Sequence, residues 1–425
     1  MSGKVLLKVG IISDIQAYDV REDWGMGNLV KALKILAPFQ PDVFINAGDL
    51  ADLAEYPEAY TLYNQIFAEF FPEKQPQQVI CAGNHDVWGL NNQTLPEMLD
   101  QFCSKLAIPR NEVCHTVVNG YDFIAITEEH VDDYTPQKLA EVKKLLDKIS
   151  AEKPGKPVFI VTHYPPYDTM SGSHNHHGKK NLRDFLNSYP QVVSFSGHTH
   201  YPLEDERSIW QKEFTAVTTS TLSYGCLEER PFNTCNSILP FAREAVQAMY
   251  MEVFADKIVI RRYNVEDQRE IKPQQRWNFA LPYDPQKPQY SGERALDRMA
   301  PYFEKNASAV LRYDYGFAYL IFDAAKHDDM VQFYQIKASA KNSDGSWSEP
   351  RTVNYAADFY RLEQHRTGKE YFKLPHDLLT AGKLTRIEIY PQESFGKLGT
   401  PLVLERTIPA YWKFREFNPL DGPQE

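Results

Sequence analysis

The sequence predicts a mixed α/β domain followed by an all-β sandwich domain, and three observations support this division. From residue 5 to about residue 200, short apolar runs alternate with longer amphipathic stretches, a pattern typical of strands and helices that build a largely parallel sheet. Four prolines between residues 272 and 290 favour an extended connector. Beyond Tyr302, apolar runs are separated by polar turns, which indicates an antiparallel sandwich.

The strands of the parallel sheet are predicted from five apolar runs, which are residues 8–12, 42–46, 78–81, 157–161 and 191–195. Helical patterns lie between these runs, for example at residues 28–39 and 135–150. In the second of these helices, Thr135 is suited to be the N-cap and Pro136 to occupy the first turn.

A second sheet is predicted from hairpin signals. Asn119-Gly120 lies between two apolar runs, which is the strongest short hairpin signal. Further strands are expected within residues 214–222, and residues 248–265 indicate another hairpin that turns at Ala255-Asp256. We therefore expect two sheets with helices outside them.

The domain boundary is placed in the proline-rich segment. The first domain is predicted to span residues 1–272, the linker residues 273–290 and the sandwich domain residues 291–425. Strand candidates of the sandwich domain are residues 316–324, 330–340, 384–392 and 400–408. Their spacing and the sequence DGSWSEPRTV resemble fibronectin type III or immunoglobulin-like sandwiches.

Composition and charge exclude several classes of protein. A hydrophobic fraction of 43% with 24% charged residues is ordinary for a globular protein and argues against disorder. The formal net charge of −11 argues against a nucleic-acid polymer as partner, because such binding depends on Lys and Arg side chains that neutralise phosphates. A small phosphorylated substrate is compatible with this charge, since bound metal ions dominate the field of a site.

The cysteines and the N-terminal residues indicate the compartment. Five cysteines without a CxxC pair do not resemble a disulfide framework. The first residues predict neither a signal peptide nor a membrane span, because Lys8 and then Asp14 interrupt the apolar run. The cytoplasm is therefore expected, with an extracytoplasmic location only if a leader was removed before this numbering begins.

The five predicted strands each end in a small residue followed by a side chain that can bind a metal ion. The endings are SDIQ at 13–16, AGDLAD at 47–52, AGNHD at 82–86, VTHYPP at 161–166 and SGHTH at 196–200. Because ligands of open α/β sheets bind beyond the carboxyl ends of the strands, we expect all five endings to meet in one crevice. A single Asp or His at such a position is more often structural, but five in this order favour a site.

The side-chain types at these endings suit a two-metal site. Carboxylate, imidazole and amide oxygen together favour manganese, iron or zinc over calcium, which prefers oxygen ligands alone. The ligands are too many for one tetrahedral ion, whereas two ions that share Asp49 account for them and leave room for water.

The ordered motifs resemble those of the calcineurin-like metallophosphoesterase superfamily over about residues 8–265. The resemblance implies that one ion is held by Asp14, Asp49 and His200 and the other by Asp49, Asn84, His163 and His198. It also implies that His85 is an acid outside the metal ligands and that Asp52 orients His85. The fold implied is a four-layer α/β/β/α sandwich, here followed by the all-β sandwich domain.

Gln16 departs from the superfamily pattern, because most members have a histidine at this position. An amide oxygen is a weaker ligand than imidazole, so we expect Gln16 to leave the first ion less tightly held or to select a harder metal such as manganese. The DIQ sequence is similar to a branch that includes manganese-dependent pyrophosphatases acting on ADP-ribose and CDP-alcohols.

The sequence therefore predicts a dinuclear phosphoesterase in which hydroxide between the ions attacks phosphorus and His85 protonates the leaving group. A small phosphomonoester or phosphodiester is expected as substrate, with nucleotides or cyclic nucleotides favoured. The alternatives are a pyrophosphatase and a catalytically weak protein that binds through its second domain. The sequence SGSHNHHGKK, with His174, His176 and His177, is interpreted either as a solvated loop or as a lid that contacts substrate.

Overall fold

The structure, a computed structural model, describes residues 3–89, 93–110, 112–127, 133–174, 178–227, 238–314, 316–375 and 377–410. The chain divides into two compact units. The first comprises Met1–Leu227 and Ala242–Ser291, and the second comprises Glu228–Phe241 and Gly292–Glu425. Among the described helices, none is long and apolar enough to cross a membrane.

The first unit alternates strands and helices along most of its length. In chain order the elements are β1 (Leu7–Ile12), α1 (Trp24–Leu36), β2 (Val43–Asn46), α2 (Glu58–Phe70), β3 (Gln77–Ile80), α3 (Leu95–Leu106), β4 (Val113–Val118), β5 (Tyr121–Ile126), α4 (Pro136–Glu152), β6 (Val158–Thr162), α5 (Lys180–Leu186), β7 (Val192–Ser196), β8 (Ile209–Gln211), β9 (Thr215–Thr218), β10 (Gln247–Val253), β11 (Lys257–Asn264), β12 (Arg269–Ile271) and β13 (Trp277–Ala280). The five predicted parallel strands and both predicted hairpins are present.

These strands form two sheets. The first has the order β12-β11-β10-β1-β2-β3, with β13 also paired to β11, and the second has the order β4-β5-β6-β7-β9-β8. Strands β1, β2 and β3 are parallel to one another, as are β5, β6, β7 and β9. Parallel neighbours bring the carboxyl ends of successive strands to one edge of each sheet.

Three hydrophobic clusters connect these sheets and helices. One cluster joins the two sheets and includes Ile11 and Ile45 of the first sheet with Phe159 and Phe195 of the second. Helices α1, α2 and α3 share a second cluster with the first sheet, and α4 and α5 share a third cluster with the second sheet. The sheets are thus buried on both faces, which explains why their parallel strands are almost continuously apolar.

A predicted helix cap and a predicted hairpin turn are both present. The Thr135 side chain accepts a hydrogen bond from the Lys138 backbone N–H and caps α4. Asn119 and Gly120 have φ values of 50° and 77°, the left-handed conformation that a two-residue hairpin turn requires. Helix α1, in contrast, begins at Trp24 rather than at residue 28, because the Asp23 side chain caps the Met26 N–H.

The proline-rich segment differs from the extended linker that we predicted for residues 273–290. Strand β13 within it pairs with β11, and Trp277 is fully buried. The Arg262 guanidinium lies 4.3 Å from the centre of the Trp277 ring and donates a hydrogen bond to the Gln275 carbonyl. The first unit therefore extends to Ser291 instead of ending at residue 272, because one edge of its first sheet is completed by this segment.

The second unit is built from antiparallel strands. They are β14 (Ala309–Asp314), β15 (Phe317–Asp323), β16 (Phe333–Ala340), β17 (Arg351–Ala356), β18 (Lys369–Leu374), β19 (Leu384–Gln392) and β20 (Leu402–Thr407). One sheet has the order β14-β15-β18 and the other β17-β16-β19-β20. Strands β14, β17 and β18 were not predicted from the sequence, because polar residues interrupt their apolar residues.

Candidate metal centre

The predicted ligands follow strands of both sheets. Asp14, Asp49 and Asn84 lie after β1, β2 and β3 of the first sheet, whereas His163 follows β6 and His198 follows β7 of the second. The carboxyl edges of the two sheets therefore meet at one place, which is the crevice expected from the sequence.

Several of these residues have a strained backbone. The φ values are 50° for Asp14, 48° for Gln16, 54° for Asp49, 68° for His198 and 51° for His200. Left-handed backbone at residues other than glycine costs about 1–3 kcal/mol each, and it persists only where the surrounding structure imposes it. Such strain is typical of functional sites, and here it turns each chain segment sharply out of its strand.

One group of potential ligands consists of Asp14, Asp49 and His200, which each offer an atom within 4.8 Å of the others. The His200 Nε2 atom lies 3.0 Å from Asp14 Oδ1. On the other side of the ring, His200 Nδ1 donates to the Tyr224 carbonyl over 2.8 Å. This hydrogen bond places the proton on Nδ1 and leaves the Nε2 lone pair for an ion.

A second group consists of Asp49, His163 and His198, whose potential ligand atoms also lie within 4.8 Å of one another. His163 Nε2 lies 3.2 Å from Asp49 Oδ2, 3.0 Å from Asn84 Oδ1 and 3.2 Å from His198 Nδ1. His163 Nδ1 donates to the Ala47 carbonyl over 2.8 Å, so Nε2 is again the free ligand atom. Two ring nitrogens, an amide oxygen and a carboxylate oxygen converge here, which is a donor set for a transition metal.

Asp49 belongs to both groups, and its surroundings explain the two glycines near it. A Cβ atom on Gly83 would overlap with Asp49 Oδ1, and one on Gly48, whose φ is 93°, would lie 2.7 Å from His163 Nδ1. The close approach of the two loops therefore requires glycine at both positions.

The charges of Asp49 and His163 depend on each other. Burial opposes the charge of both groups, but their attraction outweighs it, lowers the pKa of Asp49 to about 2 and raises the pKa of His163 to about 10. Without an ion the two groups form an ion pair. Metal binding must release the His163 proton, because only the neutral ring is a ligand.

Gln16 is 5% exposed, and its Oε1 atom has no hydrogen-bond partner among the described residues. A buried amide oxygen without a partner costs free energy, and a metal ion would satisfy it. This orphaned atom and the two groups of carboxylates and imidazoles are compatible with bound metal ions.

His85 lies beside the shared carboxylate. Its backbone N–H donates to Asp49 Oδ1 over 2.9 Å, and its Nε2 atom lies 4.0 Å from Asp49 Oδ2. Its Nδ1 atom donates to the backbone carbonyl of Asp52 over 2.5 Å, so the main chain of Asp52 contacts the ring and not its carboxylate. Burial lowers the pKa of His85, but Asp49 and the hydrogen bond to Asp52 outweigh burial and raise it.

Asp86 is a buried carboxylate to which sequence analysis assigned no function. It accepts hydrogen bonds from the backbone N–H groups of Leu50, Ala51 and Gly83 and from the Tyr60 hydroxyl. Burial raises the pKa of Asp86 to about 6, and the charge of Asp49 adds to this effect. Asp86 thus connects the loop after β2 to the loop after β3. In the sequence, the only indication of this residue was its place at the end of the motif AGNHD.

The histidine-rich loop is only partly described. His174 is exposed, whereas the predictions on His176 and His177 lie outside the described residues. Nearby, Lys179 is buried with its Nζ atom 4.0 Å from the centre of the Tyr164 ring, and that ring lies 4.0 Å from the His198 ring.

Comparison with known proteins finds one matching family. Residues 7–202 match the calcineurin-like phosphoesterase family, and no curated protein matches the chain.

Solved structures that resemble the chain have low sequence identity. A purple acid phosphatase from yellow lupin seeds is 15% identical, with a TM-score of 0.48 over 66% of this chain and 54% of that one. GAP50, the anchor in the inner membrane complex of Plasmodium, is 14% identical, with a TM-score of 0.41 over 65% and 89%. A 5'-nucleotidase precursor of Thermus thermophilus is 12% identical, with a TM-score of 0.35 over 66% and 55%. The chain thus spans about half the length of the lupin phosphatase.

Proposed function

Residues 7–202 form a calcineurin-like phosphoesterase domain, a metal-dependent phosphoester hydrolase, and from this premise we propose that the chain hydrolyses a small phosphomonoester or phosphodiester with two metal ions. Nucleotides or cyclic nucleotides are the favoured substrates. The observation that carries the proposal is that Asp49 belongs to both ligand groups, since two ions joined by one carboxylate are the arrangement that two-metal hydrolysis uses.

The proposed ligand sets follow from the two groups. Asp14, Gln16, Asp49 and His200 would hold the first ion, and Asp49, Asn84, His163 and His198 would hold the second. Manganese is favoured over iron or zinc, because the orphaned Gln16 oxygen is a harder ligand than imidazole.

The residues of the chain then act around the phosphate. When bound, the ions supply positive charge that holds the phosphate and lowers the pKa of water. Asp14 and Asp49 set the charge of the site, and the Ala47 and Tyr224 carbonyls hold the imidazoles of His163 and His200 in the ligating orientation. His85, whose Nδ1 proton is engaged by Asp52, donates its Nε2 proton to the departing oxygen.

The finer architecture is part of the same proposal. The three hydrophobic clusters support a four-layer α/β/β/α sandwich for the first unit. The two antiparallel sheets of the second unit support a fibronectin or immunoglobulin-like sandwich.

Gln16 also favours a second candidate, a pyrophosphatase for ADP-ribose or CDP-alcohols. The proposed mechanism is unchanged in that case, but the leaving group is a phosphate instead of an alcohol.

Elemental analysis of the purified full chain, combined with a substrate panel, tests the proposal. The panel contains an aryl phosphate, an aryl phosphodiester, cyclic nucleotides, nucleoside diphosphate sugars and phosphopeptides. Two ions per chain with turnover of a nucleotide ester support it, and preferential turnover of the diphosphate sugars supports the pyrophosphatase. A chain that binds two ions and hydrolyses none of these compounds overturns both.

A further inference from the structure

Two exposed aromatic residues of the first unit lie in segments that directly follow candidate site residues. Among its described residues, the Phe, Tyr and Trp side chains with the largest exposed fractions are Tyr18 at 46%, Trp24 at 37% and Trp88 at 48%. Tyr18 lies two residues after Gln16, and Trp88 lies three residues after His85. Exposed aromatic side chains grouped beside a site indicate a binding surface, since an isolated unit normally buries them.

Two of the three rings lie on the side of His85. The Trp88 ring centre is 5.6 Å from that of His85, with the rings at 73° to each other. The Trp88 carbonyl accepts a hydrogen bond from the Ala54 N–H over 2.9 Å, which fixes this segment to the loop after β2. Tyr18 packs edge-on against Tyr56 at 4.9 Å, so its ring also has a fixed support. Trp24 differs, because Lys31 and Arg243 already stack on its ring.

The polar groups beside these rings are acidic. The Asp52 carboxylate lies close to the Tyr18 hydroxyl, and the Tyr18 N–H donates to Asp23. The Glu55 carboxylate lies against Gly89, the residue after Trp88, where a Cβ atom would be 3.0 Å from Oε1. Carboxylates repel a second phosphate but accept hydrogen bonds from hydroxyl and amino groups. The surface therefore suits a neutral, planar group that carries hydrogen-bond donors.

We propose that Trp88 and Tyr18 form a binding surface for the leaving group and that this group is a nucleoside. The inference rests on the proposed function, because His85 marks the leaving-group side only if it protonates the departing oxygen. In hydrolysis of a nucleoside monophosphate, water oxygen bonds to phosphorus and keeps one proton, and the bond from phosphorus to the nucleoside oxygen breaks. That oxygen receives the His85 proton, and the second proton of the water restores the protonated His85 ring. The base stacks on Trp88, and the carboxylates of Asp52 and Glu55 repel a diphosphate in the same position.

The test compares adenosine monophosphate with ribose 5-phosphate, which has the same phosphate ester and lacks the base. Trp88→Ala in the metal-loaded full chain is expected to lower kcat/KM for the nucleotide by about 5- to 100-fold, mainly through KM, which is the usual size of a lost base stack. Ribose 5-phosphate turnover should be unchanged, and Trp88→Phe should restore most of the nucleotide preference. Tyr18→Ala should act in the same direction. Trp24→Phe, the matched control, should change neither substrate.

Three results would overturn the assignment. Equal losses on both substrates would show that Trp88 only supports His85, and no loss on either would show that the surface is unused. A loss on nitrophenyl phosphate as large as on the nucleotide, with no nucleotide preference, would assign the surface to aryl alcohols.

A binding measurement separates this inference from the proposed function. Adenosine should quench the tryptophan fluorescence of the full chain, and Trp88→Phe should abolish that change. If the enzyme hydrolyses no ester while adenosine still quenches Trp88, the proposed function fails and the nucleoside surface stands. If the enzyme hydrolyses phosphate esters but adenosine at high concentration does not quench the fluorescence, the proposed function stands and the nucleoside surface is refuted.

Discussion

His163 Nε2 lies 3.2 Å from Asp49 Oδ2, although the two residues come from different sheets. Asp49 follows β2 of the first sheet and His163 follows β6 of the second, and both side chains are buried. The contact joins the carboxyl edges of the two sheets at a carboxylate that belongs to both ligand groups. Substitution of either residue is therefore expected to weaken metal binding in the first place.

Replacement of Asp49 by Asn is expected to remove both ions, because a shared carboxylate neutralises two cations and an amide carries no charge. Elemental analysis should find less than one ion per chain, with activity lowered in proportion. Asp122→Asn is the matched control, since Asp122 is an equally buried carboxylate that contacts His115 and Lys153 away from the site. Retention of two ions and near-normal turnover by the Asp49→Asn variant would refute the bridging assignment.

Replacement of Gln16 by His is expected to tighten the first metal position and shift it toward zinc or iron, because imidazole binds these ions better than an amide oxygen. Competitive titration of manganese against zinc measures the shift. Gln16→Met, which removes the buried oxygen without supplying a nitrogen, should instead weaken the first ion. Identical metal preference in all three proteins would mean that Gln16 is not a ligand.

Replacement of His85 by Asn is expected to keep both ions. The hydrogen bond from residue 85 to Asp49, 2.9 Å long, is donated by the backbone N–H and is therefore retained in the variant. Activity on alkyl phosphates should fall about a hundred- to ten-thousandfold, the usual size of general-acid catalysis. Nitrophenyl phosphate should lose much less, since nitrophenolate leaves without a proton. Equal losses on both substrates would assign His85 to phosphate binding, and loss of metal would contradict its placement outside the ligand sets.

The end of the first unit can be tested by truncation. A chain that ends at Ser291 is expected to fold and bind its metals, because it retains β13 and the Trp277 ring over Arg262. A chain that ends at Ile271 is expected to be insoluble or strongly destabilised, since the buried Arg262 guanidinium loses that ring and the Gln275 carbonyl. Equal melting temperatures of the two fragments would show that the proline-rich segment is a linker after all.

The second unit is expected to lose stability as the pH rises. Burial raises the pKa of Glu370 well above 4.5, and Asp358 adds to this effect. The folded state therefore holds the Glu370 proton more tightly than the unfolded chain does, so this contribution is complete below about pH 4.5 and is lost as the pH rises through the folded-state pKa.

Glu370→Gln should remove that dependence and stabilise the second unit at pH 8 relative to the unsubstituted chain, because the buried amide has no proton to lose. The difference should vanish at pH 4. Thermal unfolding between pH 4 and pH 9 measures it, and Glu349→Gln is the exposed control. A difference that is constant with pH would show that Glu370 is not protonated in the folded state.

Elements with a local cause were predicted well. The N-cap at Thr135 and the turn at Asn119-Gly120 depend on conformational preferences of one or two residues, and both are present. The predicted start of helix α1 was too late because the true start depends on a cap at Asp23 before two glycines that weaken helical propensity. The proline-rich segment was predicted as a linker because nothing in its own sequence shows that Trp277 packs on Arg262.

By itself, the sequence determined which side chains end the parallel strands, because strand period and glycine-assisted turns are local properties. It therefore identified Asp14, Asp49, His163 and the other candidate ligands. Only the tertiary structure decided that the edges of two separate sheets meet, since that depends on the hydrophobic cluster between them. It also showed that Asp86 ties two loops together and that Asp52 contacts His85 through its main chain. Hydrogen bonds between residues distant in sequence have no local signature, so sequence analysis alone could not assign them.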